Sequence, residues 1–433
     1  MEKEFIAEKE YLELPVPVTG AGSSPLRIYE QDKLVYEFMI PGMQEGEGAV
    51  YHAALPLLRA GECGFDTPIR KGDRLRLVFE GGKLPGEIRQ TDHPEIPEAP
   101  AYELHYTAPY GWLNDPNGMI FYKGCWHLYH QHNPFATVWD NMSWAHAVSE
   151  DLIHFRFHSD VLFQDDAGMI FSGCAIKNDR GCFGLPEDAI LYFYTSAGGV
   201  PGRPELASAS GVPTQRMAYS LDGGRTLIKY RKWELSMLAR ENRDPKVFLH
   251  EESGAYIMVL YLIDNRFRIF RSDDLENWEQ TDELDMPPMW ECPDLFRVRN
   301  EEGESAWAFM SADGYYYMGD FDGYRFTKKG NMRKLYADEI PYAAQSFSGT
   351  GERVISMAWL RLENRGEPYT GAMSVAREFS LGRDEEGSYI KQAFVPEAEA
   401  YVLTGDDGSK RIEDCGITEW IDPEGRLLHV EIR

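Results

Sequence analysis

Two short stretches of this chain repeat one design, Ser149-Glu150-Asp151-Leu152-Ile153-His154-Phe155 and Ser272-Asp273-Asp274-Leu275-Glu276-Asn277-Trp278. Each is a polar turn closed by an aromatic, set among many short strand-like runs. A recurring turn-plus-aromatic unit of this kind is the sequence mark of a β-propeller, whose small sheets bury their faces only against neighbouring sheets. The chain is therefore expected to be all-β. Ahead of this region, residues 1–85 alternate apolar and polar positions, as in Arg27-Ile28-Tyr29-Glu30, Leu34-Val35-Tyr36-Glu37-Phe38 and Leu75-Arg76-Leu77-Val78-Phe79. Period-two runs with Gly-rich breaks predict a small antiparallel β-sandwich. Residues 86–101, rich in Pro, Glu and Gly, read as a linker lying over a surface. The propeller is expected over residues 102–382. A short β segment is expected over 383–433, where Arg426-Leu427-Leu428-His429-Val430-Glu431-Ile432-Arg433 alternates like one strand.

A length of 433 residues calls for more than one domain, because single cores stop growing at about 250–300 residues. The chain carries 71 acidic and 44 basic side chains, a net charge of −27. That balance argues against nucleic acid or an anionic membrane as partner, while a neutral sugar is indifferent to it. Surplus acid that merely keeps a protein dispersed would look the same. The longest apolar run, Ala255 to Ile263, has nine residues, against the ~20 that span a bilayer. The charged start, Met1 to Glu10, lacks the apolar stretch of a signal peptide. The six cysteines include no Cys-x-x-Cys pair, and scattered thiols fit a reducing compartment. A cytoplasmic location is the expectation, although a secreted chain stripped of its leader would begin in the same way. The oligomeric state stays open.

Three acidic motifs occur in order: Trp112-Leu113-Asn114-Asp115-Pro116-Asn117-Gly118, Arg243-Asp244-Pro245 and Glu291-Cys292-Pro293. Hydrolysis of a glycosidic bond with retention needs one carboxylate to attack the anomeric carbon and one carboxylic acid to protonate the leaving oxygen, roughly 5 Å apart. A third carboxylate can steady the oxocarbenium-like charge. Asp115 and Asp244 each precede proline, which favours extended backbone at the preceding residue. Taken singly, each motif also reads as an ordinary turn.

Taken together with their surroundings, these residues resemble glycoside hydrolase family 32, the invertase, levanase and inulinase group, from roughly Tyr102 to Arg377. The resemblance rests on Gly111 to Gly118, His130-Gln131-His132-Asn133-Pro134, Trp139-Asp140-Asn141-Met142-Ser143-Trp144-Ala145-His146-Ala147 and Phe171-Ser172-Gly173-Cys174-Ala175. It continues through Arg243-Asp244-Pro245-Lys246-Val247, Trp290 to Phe296, Tyr342-Ala343-Ala344-Gln345 and Gly371 to Glu378. The resemblance implies a five-bladed propeller whose acids converge on a central funnel. It also implies Asp115 as nucleophile, Asp244 as transition-state stabiliser and Glu291 as general acid/base. Asn114, Gln131, Trp139, Phe171, Ser172 and Arg243 fall where the family contacts a fructosyl unit. No metal and no cofactor are implied, and the partner would be a fructose-containing oligo- or polysaccharide. Members typically follow the propeller with a second β-sandwich of well over a hundred residues. Only about fifty residues follow Arg377 here, so either that part is vestigial or the chain has been shortened.

The chain departs from the family pattern in places that bear on substrate. Asp140 stands where a glycine is common, and is expected to narrow the pocket mouth, offer sugar hydroxyls an acceptor and favour short substrates. Cys174 ends a motif that usually ends in serine, and Leu335 to Pro341 replaces an Asp-rich stretch. His127, His130, His132 and His146 cluster in sequence, but a metal site needs a suitable set of three or more ligands, and wall or structural roles fit them better. Leu221-Asp222-Gly223-Gly224-Arg225-Thr226 is a hairpin turn without the Lys-Ser/Thr ending of a phosphate loop. Cys292 has no histidine base beside it and reads as a packed wall residue near Glu291. Three functions fit: a retaining β-fructofuranosidase, a fructosyltransferase on the same scaffold, and a non-catalytic sugar-binding protein. The intact acidic trio speaks against the third.

Overall fold

The computed structural model of the protein describes residues 1–18, 20–42, 49–58, 66–97, 105–198, 212–236 and 238–399. The described residues form two N-terminal sheets, of four and three strands, and five further sheets of four or five strands. The first N-terminal sheet takes Glu2–Ile6, Arg74–Phe79, Ala21–Glu30 and Lys33–Gly42 in that order, and the second takes Val50–Pro56, Tyr11–Pro17 and Arg89–Thr91. Period two decides which side chains lie between them. Leu75, Leu77 and Phe79 are buried while Arg74 and Arg76 are not, and they join Leu26, Ile28, Phe38, Leu14 and Leu55 in one core. Arg89–Thr91 lies in the stretch expected to be linker, yet it pairs with Tyr11–Glu13, and Arg89 reaches the buried Glu13 carboxylate.

Five antiparallel blades follow. Their first strands are Gly111–Tyr122, Ile170–Lys177, Arg243–His250, Asp294–Arg299 and Pro341–Ser346, and each pairs with the next strand in sequence. The expected boundary at 382/383 falls inside a strand, Arg377–Asp384, and Gly387–Phe394 then completes the outer edge of the fifth blade. The strand expected at 426–433 lies outside the described residues.

The repeated turn is a shared hydrogen-bonding device. Between the third and fourth strands of the first blade, Ser149 Oγ donates to Asp151 (2.9 Å), and the same carboxylate accepts the amides of Ile153 and His154. Ser272 and Asp274 repeat this in the third blade, and Ser220 and Asp222 do so in the second. The fourth blade keeps only the acid, with Asp322 accepting the amides of Tyr324 and Arg325. Each acid satisfies amides that a tight turn would otherwise leave unpaired.

Near the centre, the first strands of three blades meet on one ammonium. Lys246 Nζ in the third blade donates to Asp294 Oδ2 in the fourth (3.2 Å) and to the carbonyl and hydroxyl of Ser346 in the fifth (2.7 and 2.9 Å). Asp294 also accepts the Ser346 amide at 2.6 Å. The ring closes where Tyr369–Thr370 pairs in parallel with Gly111 and Trp112 of the first blade, while the adjoining Ala372–Met373 pairs with Val354–Leu360 of the fifth. Removing one partner of a buried ion pair strands the other charge, at a cost of about 3–5 kcal/mol. Lys246→Met is therefore expected to lower the midpoint of chemical denaturation markedly. An unchanged midpoint would show that the central ion pair contributes nothing to holding the blades.

Candidate active site

The first strand of the propeller is interrupted at Asn114-Asp115. Leu113 pairs with His132 and Pro116 with His130, so Asn114 and Asp115 together face the single residue Gln131. This is a β-bulge, which kinks the strand and re-aims its side chains, and Pro116 favours it because it has no N–H to give the ladder. The same irregularity recurs in other first strands. Phe171 and Ser172 lie between the paired positions Ile170 and Gly173, opposite Thr195. Asp244 and Pro245 lie between Arg243 and Lys246, opposite Leu260. Ala343 and Ala344 lie between Tyr342 and Gln345, opposite Ala358. In the fourth blade Glu291 and Cys292 just precede the first strand, both in left-handed backbone, with φ of 32° and 41°.

Asp244 corrects the expectation of extended backbone before proline, since its φ is 63°. The left-handed region costs a non-glycine residue on the order of 1 kcal/mol, least for Asp and Asn. Two contacts hold it there: Thr195 Oγ1 accepts the Asp244 amide, and Cys292 N–H donates to its carboxylate, both at 3.0 Å.

Two bulges and the left-handed turn at Glu291 bring three acids into one cleft of about 200 Å³. Ser172 Oγ donates to Asp115 Oδ2 at 2.8 Å and Asn114 Nδ2 donates to Oδ1 at 3.1 Å. Asn114 is itself held by the Trp112 indole N–H at 2.9 Å. Burial, and then the negative field of Glu291, push the Asp115 carboxyl up to about 6, against these hydrogen bonds. Glu291 accepts at both oxygens, from Tyr342 Oη at 2.7 Å and from Arg243 Nη2 and Nε at 2.8 and 2.9 Å. Burial opposes the charge of Arg243, but Asp244 and Glu291 outweigh it and raise its pKa. Its guanidinium also lies over the Tyr261 ring, 4.6 Å from the centroid. Asp244 is pushed up by burial, with Arg243 pulling the other way. Cys292, fully packed, places its sulfur 3.7 Å from Asp115 Oδ2 and 3.5 Å from Asp244 Oδ2. Burial and the surrounding carboxylates raise its thiol well above the usual range, so it stays protonated, with its one S–H able to donate to either aspartate.

Comparison with known proteins agrees with this geometry. Residues 105–393 match the family model described as glycosyl hydrolases family 32 N-terminal domain. The chain belongs to glycoside hydrolase family 32. It is 31% identical to a levanase of Bacillus subtilis over 69% of this chain and 47% of that protein. It is 32% identical to an invertase of Debaryomyces hansenii over 64% of this chain and 56% of that protein. The chain thus spans about half the length of these two relatives. Among solved structures, a Schwanniomyces occidentalis fructofuranosidase complexed with fructosylnystose superposes with a TM-score of 0.59 at 29% identity, covering 69% of this chain and 62% of that one. An exo-inulinase from Aspergillus awamori, at 24% identity, shares the fold with a TM-score of 0.62 over 69% of this chain and 68% of that one.

Of the residues singled out in the family 32 motifs, Asn114, Asp115, Gln131, Trp139, Phe171, Ser172, Arg243, Asp244 and Glu291 all line the cleft. Asp140 does not. Its carboxylate folds back to accept the Asn141 amide at 2.7 Å, a local turn bond that competes with any outward reach. Met142, Tyr342 and Trp359 line the cleft as well. Tyr342 and Met142 lie inside family 32 motifs where nothing local marks a role for them, and Trp359 carries no local signal. The clustered histidines are used structurally: His132 bonds the buried Asp160 carboxylate and the Tyr110 carbonyl, while His130 bonds the Tyr106 hydroxyl.

A buried acid whose folded pKa is raised stabilises the fold only while it is protonated, so its contribution is present below the unfolded value and lost as pH rises through the folded one. For Asp115 that window runs from the ordinary aspartate value of 3.8 to about 6. Asp115→Asn is expected to melt higher than the parent protein at pH 7, by roughly 1–3 kcal/mol of stability, and to lose this advantage by pH 4. A variant that gains nothing at pH 7 relative to pH 4 would mean that the buried charge carries no penalty. Burial and the adjacent Glu291 also keep the Tyr342 phenol protonated as a donor. Tyr342→Phe is expected to cut turnover roughly 10- to 100-fold, the scale of one hydrogen bond to a charged group, measured as kcat on a fructoside.

Proposed function

We propose that the protein is a retaining β-fructofuranosidase that releases terminal fructosyl units from sucrose, fructo-oligosaccharides or fructans. The observation that carries this is the gathering of Asp115, Asp244 and Glu291, from three blades, around one cleft, with donors on both Asp115 oxygens. Asp115 attacks the anomeric carbon while Glu291 protonates the leaving oxygen, giving a covalent fructosyl-enzyme. Water then attacks that intermediate, and Glu291 takes its proton. Both Glu291 oxygens accept hydrogen bonds in this structure, which suits the second step. The first step needs a proton on one of them, with Arg243 turning toward a sugar hydroxyl. Asp244, bonded by Cys292 N–H, faces the charge that develops on the ring. Gln131, buried and with no partner for either amide atom among the described residues, is available for a sugar hydroxyl. The names of the levanase and invertase relatives, and the fructosylnystose bound by a fructofuranosidase neighbour, support a fructoside as partner.

The test is sugar release from sucrose, kestose, inulin and levan, with the anomeric outcome followed by NMR. Retained configuration is expected, and kcat/KM should fall as pH drops through about 6, where Asp115 takes up its proton. Asp115→Asn should abolish turnover, and Glu291→Gln should hurt poor leaving groups most. Inverted product, or an active Asp115→Asn variant, would overturn the mechanism. Oligosaccharides outweighing free fructose at high sucrose would make the enzyme a transferase.

A further inference from the structure

The N-terminal sandwich lies outside the residues that match the family, yet it grips a loop of the candidate site. Between the strands Cys125–Asn133 and Ser143–Ser149 the chain has no strand of its own, so the course of this loop is set by its tethers. Several come from the sandwich. Asn141 clamps the Met39 backbone from both sides, its Nδ2 donating to the carbonyl and its Oδ1 accepting the amide, each at 2.8 Å. Thr137 Oγ1 donates to the Val18 carbonyl at 3.2 Å. Phe135 is wholly buried in the sandwich core, its ring centroid 4.3 Å from that of Phe38. Held between Thr137 and Asn141 is Trp139, 48% exposed, lining the cleft with its ring edge-on to Phe171. Met142, the next residue beyond the clamp, lines the cleft too.

We infer that the N-terminal sandwich is part of the substrate-binding apparatus. By clamping Asn141 and Thr137 it fixes the height of the Trp139 indole above the cleft, and so governs how the sugar ring stacked there is held. This rests on the proposed fructosidase reading and adds a specificity role for a unit outside the family match. The geometry favours such a role over simple docking. A docking contact would need only the Phe135–Phe38 packing, whereas the two-sided bond from Asn141 fixes register, and Asn141 holds it from a left-handed conformation (φ 44°) that most side chains avoid. Asn141 and Thr137 are positioning residues, since neither lines the cleft.

The test uses the full chain with Asn141→Asp, which tolerates the left-handed backbone and keeps the acceptor but loses the donor that serves both the Met39 carbonyl and Asn133 Oδ1. Thr137→Val, nearly isosteric, loses only the bond to Val18. For kestose and sucrose, KM is expected to rise roughly five- to ten-fold in the first variant and two- to three-fold in the second, with kcat within about two-fold of the parent. Amide hydrogen exchange over 134–142 should quicken in both. A purely structural role would lower the melting temperature or the active fraction, and hence kcat, while leaving KM alone. An active parent protein whose KM is untouched by both substitutions would overturn this inference by itself. A parent protein inert toward every fructoside would overturn the hydrolase reading and this inference with it.

Discussion

A single buried ammonium organises the centre of this molecule. Lys246 ties the first strands of the third, fourth and fifth blades together through Asp294 and Ser346. In sequence it lies two residues beyond Asp244, and Asp294 lies three beyond Glu291, so the pair that locks the strands also sets how two of the cleft acids stand to one another. Charges taken out of water are costly unless paired and hydrogen-bonded. Here the pairing spans blades, and the polar bonds add direction to what apolar blade packing alone would leave free to slide.

Above this lock the first strands abandon regular pairing at the same level. Bulges at Asn114-Asp115, Phe171-Ser172, Asp244-Pro245 and Ala343-Ala344, with left-handed turns at Glu291-Cys292, convert an even barrel of strands into a bowl of converging side chains. The residue opposite a bulge also finds work: Gln131 faces the cleft, and Thr195 accepts the Asp244 amide. Concentrating three carboxyls in one cleft is unfavourable, and Arg243, Ser172, Asn114, Tyr342 and the Cys292 amide are the groups that offset it.

Much of this was legible in the chain. The acids are visible because their motifs are local and carry proline, and the propeller because a repeated turn-plus-aromatic unit stands beside the resemblance to family 32. Only two copies stood out, since the copy at Ser220 was disguised by glycines and the one at Asp322 has lost its serine. What stayed hidden depends on contacts between distant residues. The backbone of Asp244 answers to Thr195 and Cys292 more than to the following proline. Asp140, expected to address sugar, satisfies the amide next to it instead. The fifth blade runs through the expected boundary because its outer strands are ordinary alternating segments whose partner cannot be known from local pattern.

The closure at Tyr369–Thr370 bears on the order in which the molecule is made. Its parallel partner, Gly111–Trp112, leaves the ribosome more than two hundred residues earlier, together with Asn114 and Asp115. Until the late strand arrives, the first blade lacks a partner along the edge that carries Asn114 and Asp115, the kind of edge that invites pairing with another chain. Contacts so distant along the chain are slow to form. The ring can therefore close only once the segment around Tyr369 has been made, and the cleft is a bounded space only with that closure.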